Sequence, residues 1–77
     1  STMKVEIYTR DSCQYCEAAL RLLQRRKVSY DEIALTDELD APLRDQTGQD
    51  TTPIIFIDGA HVGGFDELVE LDQDGHL

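Results

Sequence analysis

The stretch Lys4-Val5-Glu6-Ile7-Tyr8-Thr9-Arg10-Asp11-Ser12-Cys13-Gln14-Tyr15-Cys16 decides how the chain is read. Residues 4–9 alternate polar and apolar, the period of a strand with Val5 and Ile7 on its covered face. Arg10-Asp11-Ser12 breaks that pattern and offers side chains suited to capping a helix. From Gln14 to Lys27 neither Gly nor Pro intervenes, and Ala19, Leu20, Leu22 and Leu23 recur at helical spacing. Arg25-Arg26-Lys27 closes the last turn, where cations suit the helix dipole. The two cysteines therefore sit where a strand gives way to a helix.

Outward from this point the pattern repeats. Val28 to Leu35 predicts a second strand, interrupted by Asp31-Glu32. Thr36 to Asp40 is acidic, and Pro42 to Thr47 predicts a short helix with proline in its first turn and Gly48 at its end. Ile54-Ile55-Phe56-Ile57 is a buried strand, Asp58-Gly59 the preferred two-residue hairpin turn, and Ala60-His61-Val62 the returning strand. Gly63-Gly64 ends it, Phe65 to Leu71 predicts a helix with Leu68 and Leu71 on one face, and Asp72 to Leu77 reads as a frayed end. The order β-α-β-α-β-β-α implies a right-handed crossover between two parallel strands and a final antiparallel pair. The expected fold is α/β, a four-stranded mixed sheet flanked by helices.

Seventy-seven residues make one domain, residues 1–77, with a thin core. Ser1 and Thr2, ahead of Met3, read as a remnant of expression. Seven basic against sixteen acidic residues give a net charge of −9. That balance argues against nucleic acid, whose phosphates need a positive surface, and against an anionic membrane. The charge is uneven: residues 1–27 carry +3 and residues 28–77 carry −12. An anionic ligand would meet the first third of the chain. No apolar run approaches the ~20 residues that span a bilayer, so a cytoplasmic setting is expected. A disulfide between Cys13 and Cys16 would close too short a loop to stabilise much, which makes the pair chemical rather than structural.

Cys13 at the N-terminal end of a helix meets unpaired backbone N–H groups and the positive end of the dipole, which favour thiolate over thiol. Arg10 is expected to add a nearby cation. Cys16, one turn on, lies on the same face and can attack a mixed disulfide formed on Cys13. No metal site is expected, because the further ligands would be His61 in a strand and His76 in the tail. Thr51-Thr52-Pro53 precedes the buried strand, and this setting predicts a cis peptide that turns the Thr52 backbone towards the thiol. Gly63-Gly64 permits close approach of another chain, and Asp66 is placed to cap the last helix or to meet an amine.

Together these residues resemble the glutaredoxins. The resemblance runs from Val5 to Leu71 and rests on four pieces: Tyr8-Thr9-Arg10 leading into Cys13-Gln14-Tyr15-Cys16, the Thr47-Gly48 turn, Thr52-Pro53-Ile54 with Phe56-Ile57-Asp58, and Gly63-Gly64-Phe65-Asp66-Glu67-Leu68. It implies a thioredoxin-like fold and a thiol–disulfide oxidoreductase that uses glutathione as reductant. By the same resemblance Cys13 forms the mixed disulfide and Cys16 completes reduction of disulfide-containing proteins. Arg10 would meet the glycine carboxylate of glutathione, Tyr15 would flank the site, and Thr52 with Pro53 would pair with the cysteinyl unit. Gly64, Phe65 and Asp66 would receive the γ-glutamyl end. The family's reduction potential lies at about −200 to −230 mV, and the expected species is a monomer.

Three positions depart from the family: Gln14 where proline is usual, Thr52 where valine is usual, and Asp45 where a neutral or basic side chain often meets the ligand. Two alternatives remain beside the main expectation. Redoxins reduced by thioredoxin reductase and serving ribonucleotide reductase share the Tyr-Thr-Arg lead and a non-proline second position, but lack the Gly-Gly-Phe-Asp ending. Some glutaredoxins with an altered second position hold a [2Fe–2S] cluster between two protomers, through the first cysteine and glutathione.

Overall fold

The computed structural model describes residues 3–77, so the reading of Ser1-Thr2 as a remnant lies outside the described residues. Seven elements follow in the expected order: β1 Val5–Thr9, α1 Gln14–Arg25, β2 Tyr30–Ala34, α2 Asp37–Thr47, β3 Ile54–Ile57, β4 Ala60–Gly63 and α3 Phe65–Gln73. The sheet runs β2-β1-β3-β4. β1 pairs in parallel with β2 and antiparallel with β3, and β3 pairs antiparallel with β4 across an irregularity at Ile55/Phe56.

The two central strands explain the layers. Val5 and Ile7 of β1 and Ile55 of β3 pack with Ala19 and Leu23 of α1 and Leu68 of α3. Ile54 and Phe56 point the other way and pack with Leu35 and Leu43, the latter on α2. β3 is thus covered on both faces, and for that reason it reads as an unbroken apolar run rather than an alternating one. Each Leu or Ile fully buried in these clusters contributes about 1.5–3 kcal/mol of transfer free energy. Asp58 and Gly59 adopt φ of 52° and 83°, the left-handed pair that a two-residue hairpin turn requires.

Several boundaries differ from the expectation. α2 begins at Asp37, five residues before Pro42, because Thr36 caps it: the Thr36 hydroxyl accepts a hydrogen bond from Leu39 N–H. Asp37, Glu38 and Asp40 then occupy the first turn, where the dipole favours carboxylates. Pro42 lies inside this helix on an exposed side, where its missing N–H leaves the Glu38 carbonyl to solvent. Gly48 ends the helix in a left-handed conformation, its N–H donating to Arg44 O. α1 stops at Arg25, and β2 covers only Tyr30–Ala34. The tail is not simply frayed: α3 runs to Gln73, His76 N–H donates to Leu71 O at 2.9 Å, and Leu77 packs against the larger core cluster.

Candidate active site

β1 ends under the start of α1, and the turn Arg10-Asp11-Ser12 carries the chain across, with Ser12 at φ 58°. The residue capping α1 is Cys13 itself, correcting the expectation that the preceding side chains do so. Its Sγ accepts a hydrogen bond from Cys16 N–H at 3.1 Å. The sulfur thus takes the place of the side-chain oxygen usual at an N-cap. Facing it across the sheet end is the loop before β3. The Thr52 hydroxyl lies 3.3 Å from Cys13 Sγ, and the Thr52 carbonyl oxygen 3.9 Å. The Thr52–Pro53 peptide is cis, as expected, and Pro53 is buried.

The two thiols are driven apart electrostatically. Burial pushes Cys13 up, but hydrogen bonds from the Cys16 side chain, the Thr52 side chain and the backbone N–H groups of Cys16 and Tyr15 outweigh it. Cys13 therefore ionises below its ordinary range. Cys16 is raised, first by burial and then by its hydrogen bond with Cys13, against smaller opposing effects from the Arg10 backbone and Thr52. Of the two, the half-buried sulfur is therefore the more readily ionised and the buried one the less.

The Arg10 side chain takes no part in that tuning. Its guanidinium is turned to Asp40 at 3.4 Å and Asp37 at 3.9 Å on α2, contrary to the expectation of a cation beside the sulfur. Asp40 is also hydrogen-bonded by Arg44, and that bond, more than the Arg10 contact, holds its carboxyl below the usual carboxylate range despite desolvation. Arg44 lines the cleft over Cys13. Asp45 is exposed and does not line it.

The cleft has two lobes. The first, about 690 Å³, is bounded by Arg10, Cys13, Tyr15, Asp40, Arg44 and Thr52. The second, about 280 Å³, is bounded by Tyr15, Thr52, Gly64, Phe65, Asp66 and Glu67. Tyr15 and Thr52 belong to both, and the rings of Tyr15 and Phe65 lie 6.1 Å apart at the junction. Arg10, Cys13, Tyr15, Thr52, Gly64, Phe65 and Asp66 thus line one continuous groove, while Cys16 and Pro53 are buried beneath it.

Three participants were not anticipated in these roles. The Thr52 side chain, and not its backbone alone, faces the sulfur. Glu67 rather than Asp66 closes the start of α3, accepting from Gly64 N–H at 2.9 Å. Its spacing from Gly64 is that of a capping box, a signal the sequence does carry. The close approach that Gly63 permits is made by this same Glu67 side chain, within the chain. Gln49 Nε2 donates to Pro53 O at 2.7 Å and Thr51 O at 3.0 Å, while its Oε1 lies 2.8 Å from His61 Nε2. No local pattern announces that bracket. Among the described residues no three His, Cys, Asp or Glu side chains converge to hold a metal ion, and no helix is long and apolar enough to cross a membrane.

The glutaredoxin family model matches residues 5–62. The chain is 45% identical over 75 residues to glutaredoxin 1 of Rickettsia typhi, covering 92% of this chain and 72% of that protein. To glutaredoxin 3 of Escherichia coli it is 42% identical over 77 residues, covering 95% and 90%. A crystal structure of a buckwheat glutaredoxin–glutathione complex superposes with a TM-score of 0.88 at 31% identity, over 95% of this chain and 71% of that one. A thiol pair split in acidity at a helix cap, in a mixed sheet of this order, thus agrees with the kinship of the whole chain, which belongs to the glutaredoxin family of thioredoxin-like oxidoreductases.

Proposed function

We propose that the chain is a glutathione-dependent thiol–disulfide oxidoreductase acting on protein disulfides and glutathione mixed disulfides in the cytoplasm, as a monomer. The observation that carries this reading is the Cys13 sulfur, capped by Cys16 N–H and open to a two-lobed groove. In the first step the Cys13 thiolate attacks one sulfur of a substrate disulfide. A new S–S bond forms to Cys13, the old one breaks, and the electron pair leaves on the departing sulfur. In the dithiol route Cys16, after losing its proton, attacks Cys13 Sγ and expels the second thiolate. In the monothiol route a glutathione thiolate attacks the glutathionyl sulfur, and Cys13 leaves as an anion.

The groove suits a short, extended, anionic thiol peptide. The Thr52 backbone would pair with its cysteinyl unit, between the Thr51 and Pro53 carbonyls that Gln49 holds. Arg10 and Arg44 stand at one end for a carboxylate, in partnership with Asp40. Gly64, Phe65 and Asp66 stand at the other, where the start of α3 offers N–H groups for the γ-glutamyl carboxylate and Asp66 an acceptor for its amine. The named complex of the buckwheat relative with glutathione supports this choice of ligand. The reading is tested with Cys13→Ser and Cys16→Ser variants on a glutathionylated protein, supplied with either glutathione or thioredoxin reductase. Glutathione is the expected reductant. Loss of Cys13 abolishes turnover, and loss of Cys16 spares the mixed-disulfide reaction. Turnover without Cys13, or reduction by the reductase alone, overturns the assignment.

A further inference from the structure

We propose that the Thr52 hydroxyl is a catalytic group of this chain, a side-chain donor that holds the Cys13 thiolate and receives it again when it leaves. This rests on the thiol–disulfide reading and deepens it, since it adds a reacting-atom contact to a residue otherwise assigned only a backbone role. The geometry is direct. Oγ1 lies 3.3 Å from Cys13 Sγ, within hydrogen-bond reach for a large sulfur acceptor. Beside the backbone N–H groups and the Cys16 thiol, it is the neighbouring side chain placed to stabilise charge on that atom, because the guanidinium of Arg10 is engaged by Asp37 and Asp40.

A hydroxyl suits this place because it serves both protonation states. While Cys13 is a thiol the oxygen can accept from S–H, and once the proton has gone the same group turns its own hydrogen to S⁻. The carbonyl of Thr52, at 3.9 Å, can do only the first. The loop is held for this task from behind. Gln49 ties the carbonyls of Thr51 and Pro53, which brackets Thr52 and leaves its side chain and carbonyl facing the sulfur. The valine usual in the family would fill the same volume without a donor.

The group acts at both ends of the reaction. When Cys13 attacks, its electron pair goes into the new S–S bond, the substrate's old S–S bond breaks, and the charge departs on the leaving sulfur. The hydroxyl then loses its anionic partner. When glutathione thiolate attacks the glutathionyl sulfur, the pair of the breaking bond returns to Cys13, and the hydroxyl is in place to meet it. Loss of a hydrogen bond to a charged group of this kind is read as about a tenfold drop in the proportion of thiolate at a pH below the titration midpoint. Nucleophilicity falls as acidity rises, with a coefficient of ~0.4–0.5, so the net gain in attack is only about threefold, whereas departure of Cys13 is favoured throughout.

The test uses the full chain with Thr52→Val, Thr52→Ala and Thr52→Ser. The rate of Cys13 alkylation by iodoacetamide is followed against pH by mass spectrometry, and turnover of a glutathionylated peptide is followed in parallel. Val and Ala are expected to carry about tenfold less thiolate at a fixed pH below the midpoint and to slow release of Cys13, while Ser restores both. Ala keeps the comparison open if Val does not fold. Titration of Val and Ala unchanged from the parent overturns the proposal. So does a Ser variant that shifts as far as Val, because loop shape and not the hydroxyl would then be at work. Either result with glutathione turnover intact in the parent chain leaves the thiol–disulfide reading standing, whereas absence of that turnover in the parent defeats the reading itself.

Discussion

Gly63→Ala is expected to destabilise the chain severely, although no catalytic atom is altered. Gly63 is buried at the end of β4 with φ at 130°, a conformation that side chains rarely adopt. An added Cβ would stand 2.8 Å from Glu67 Cγ and 2.9 Å from Cδ, with the carboxylate oxygen closer still. The backbone contribution is about 1–3 kcal/mol. Relief of the clash requires Glu67 to leave Gly64 N–H, and an exposed hydrogen bond of this kind is worth about 1 kcal/mol. The total is about 2–4 kcal/mol, which for a domain of this size lowers the melting temperature by about 10–30 °C. Thermal unfolding followed by circular dichroism reads this directly. A cycle with Glu67→Ala separates the two parts, because with the carboxylate gone only the backbone strain remains. The double variant is then expected to be more stable than the sum of the single changes predicts, by about 1 kcal/mol. A Gly63→Ala protein that melts with its parent, or a strictly additive cycle, refutes the reasoning.

Three further outcomes follow from the electrostatics of the site. Cys13 alkylation should rise with pH and level off below the range of an ordinary thiol, whose value is 9.0, while Cys16 lags behind. Since the folded chain lowers the Cys13 value, the stability this contributes is fully present above the unfolded-state value and is lost as pH falls through the folded-state value. Urea titrations of the parent and Cys13→Ala, with Cys16 present in both, should diverge as pH rises, and parallel curves would contradict the shift. Asp40→Asn removes the carboxylate held between Arg10 and Arg44. Glutathione affinity, read as KM, is expected to tighten several-fold, with the gain shrinking as salt is added. Weaker affinity instead would mean that Asp40 serves the ligand by orienting the two guanidinium groups.

Element order was legible because the local signals agreed with one another. The alternation of Val5 and Ile7, the uninterrupted run after Cys13, the Asp58-Gly59 turn and the terminal Gly48 each match an observed feature. The start of α2 was misread because Pro42 favours a first turn. The stronger pattern, Thr36 followed by carboxylates at the positive end of a helix, begins six residues earlier. Long-range partnerships were beyond local patterns altogether. Arg10 meets Asp37 and Asp40 only because β1 and α2 are brought to the same end of the sheet, and Gln49 reaches His61 only once the β3–β4 hairpin has formed. The contact of the Thr52 hydroxyl with Cys13 is likewise long-range, since thirty-nine residues separate the two in the chain.

The outermost place of β2 bears on how the protein behaves in crowded solution. An unpaired strand side is a template on which a second copy can add its own strand, the usual opening of sheet-mediated aggregation. The antiparallel register that would join all five residues of Tyr30–Ala34 to their counterparts sets Glu32 against Glu32, with Asp31 of each strand one place away. Like charges directly opposed disfavour such a pairing. The same two acidic residues that blur this segment as a strand in the sequence therefore guard its open side against self-association.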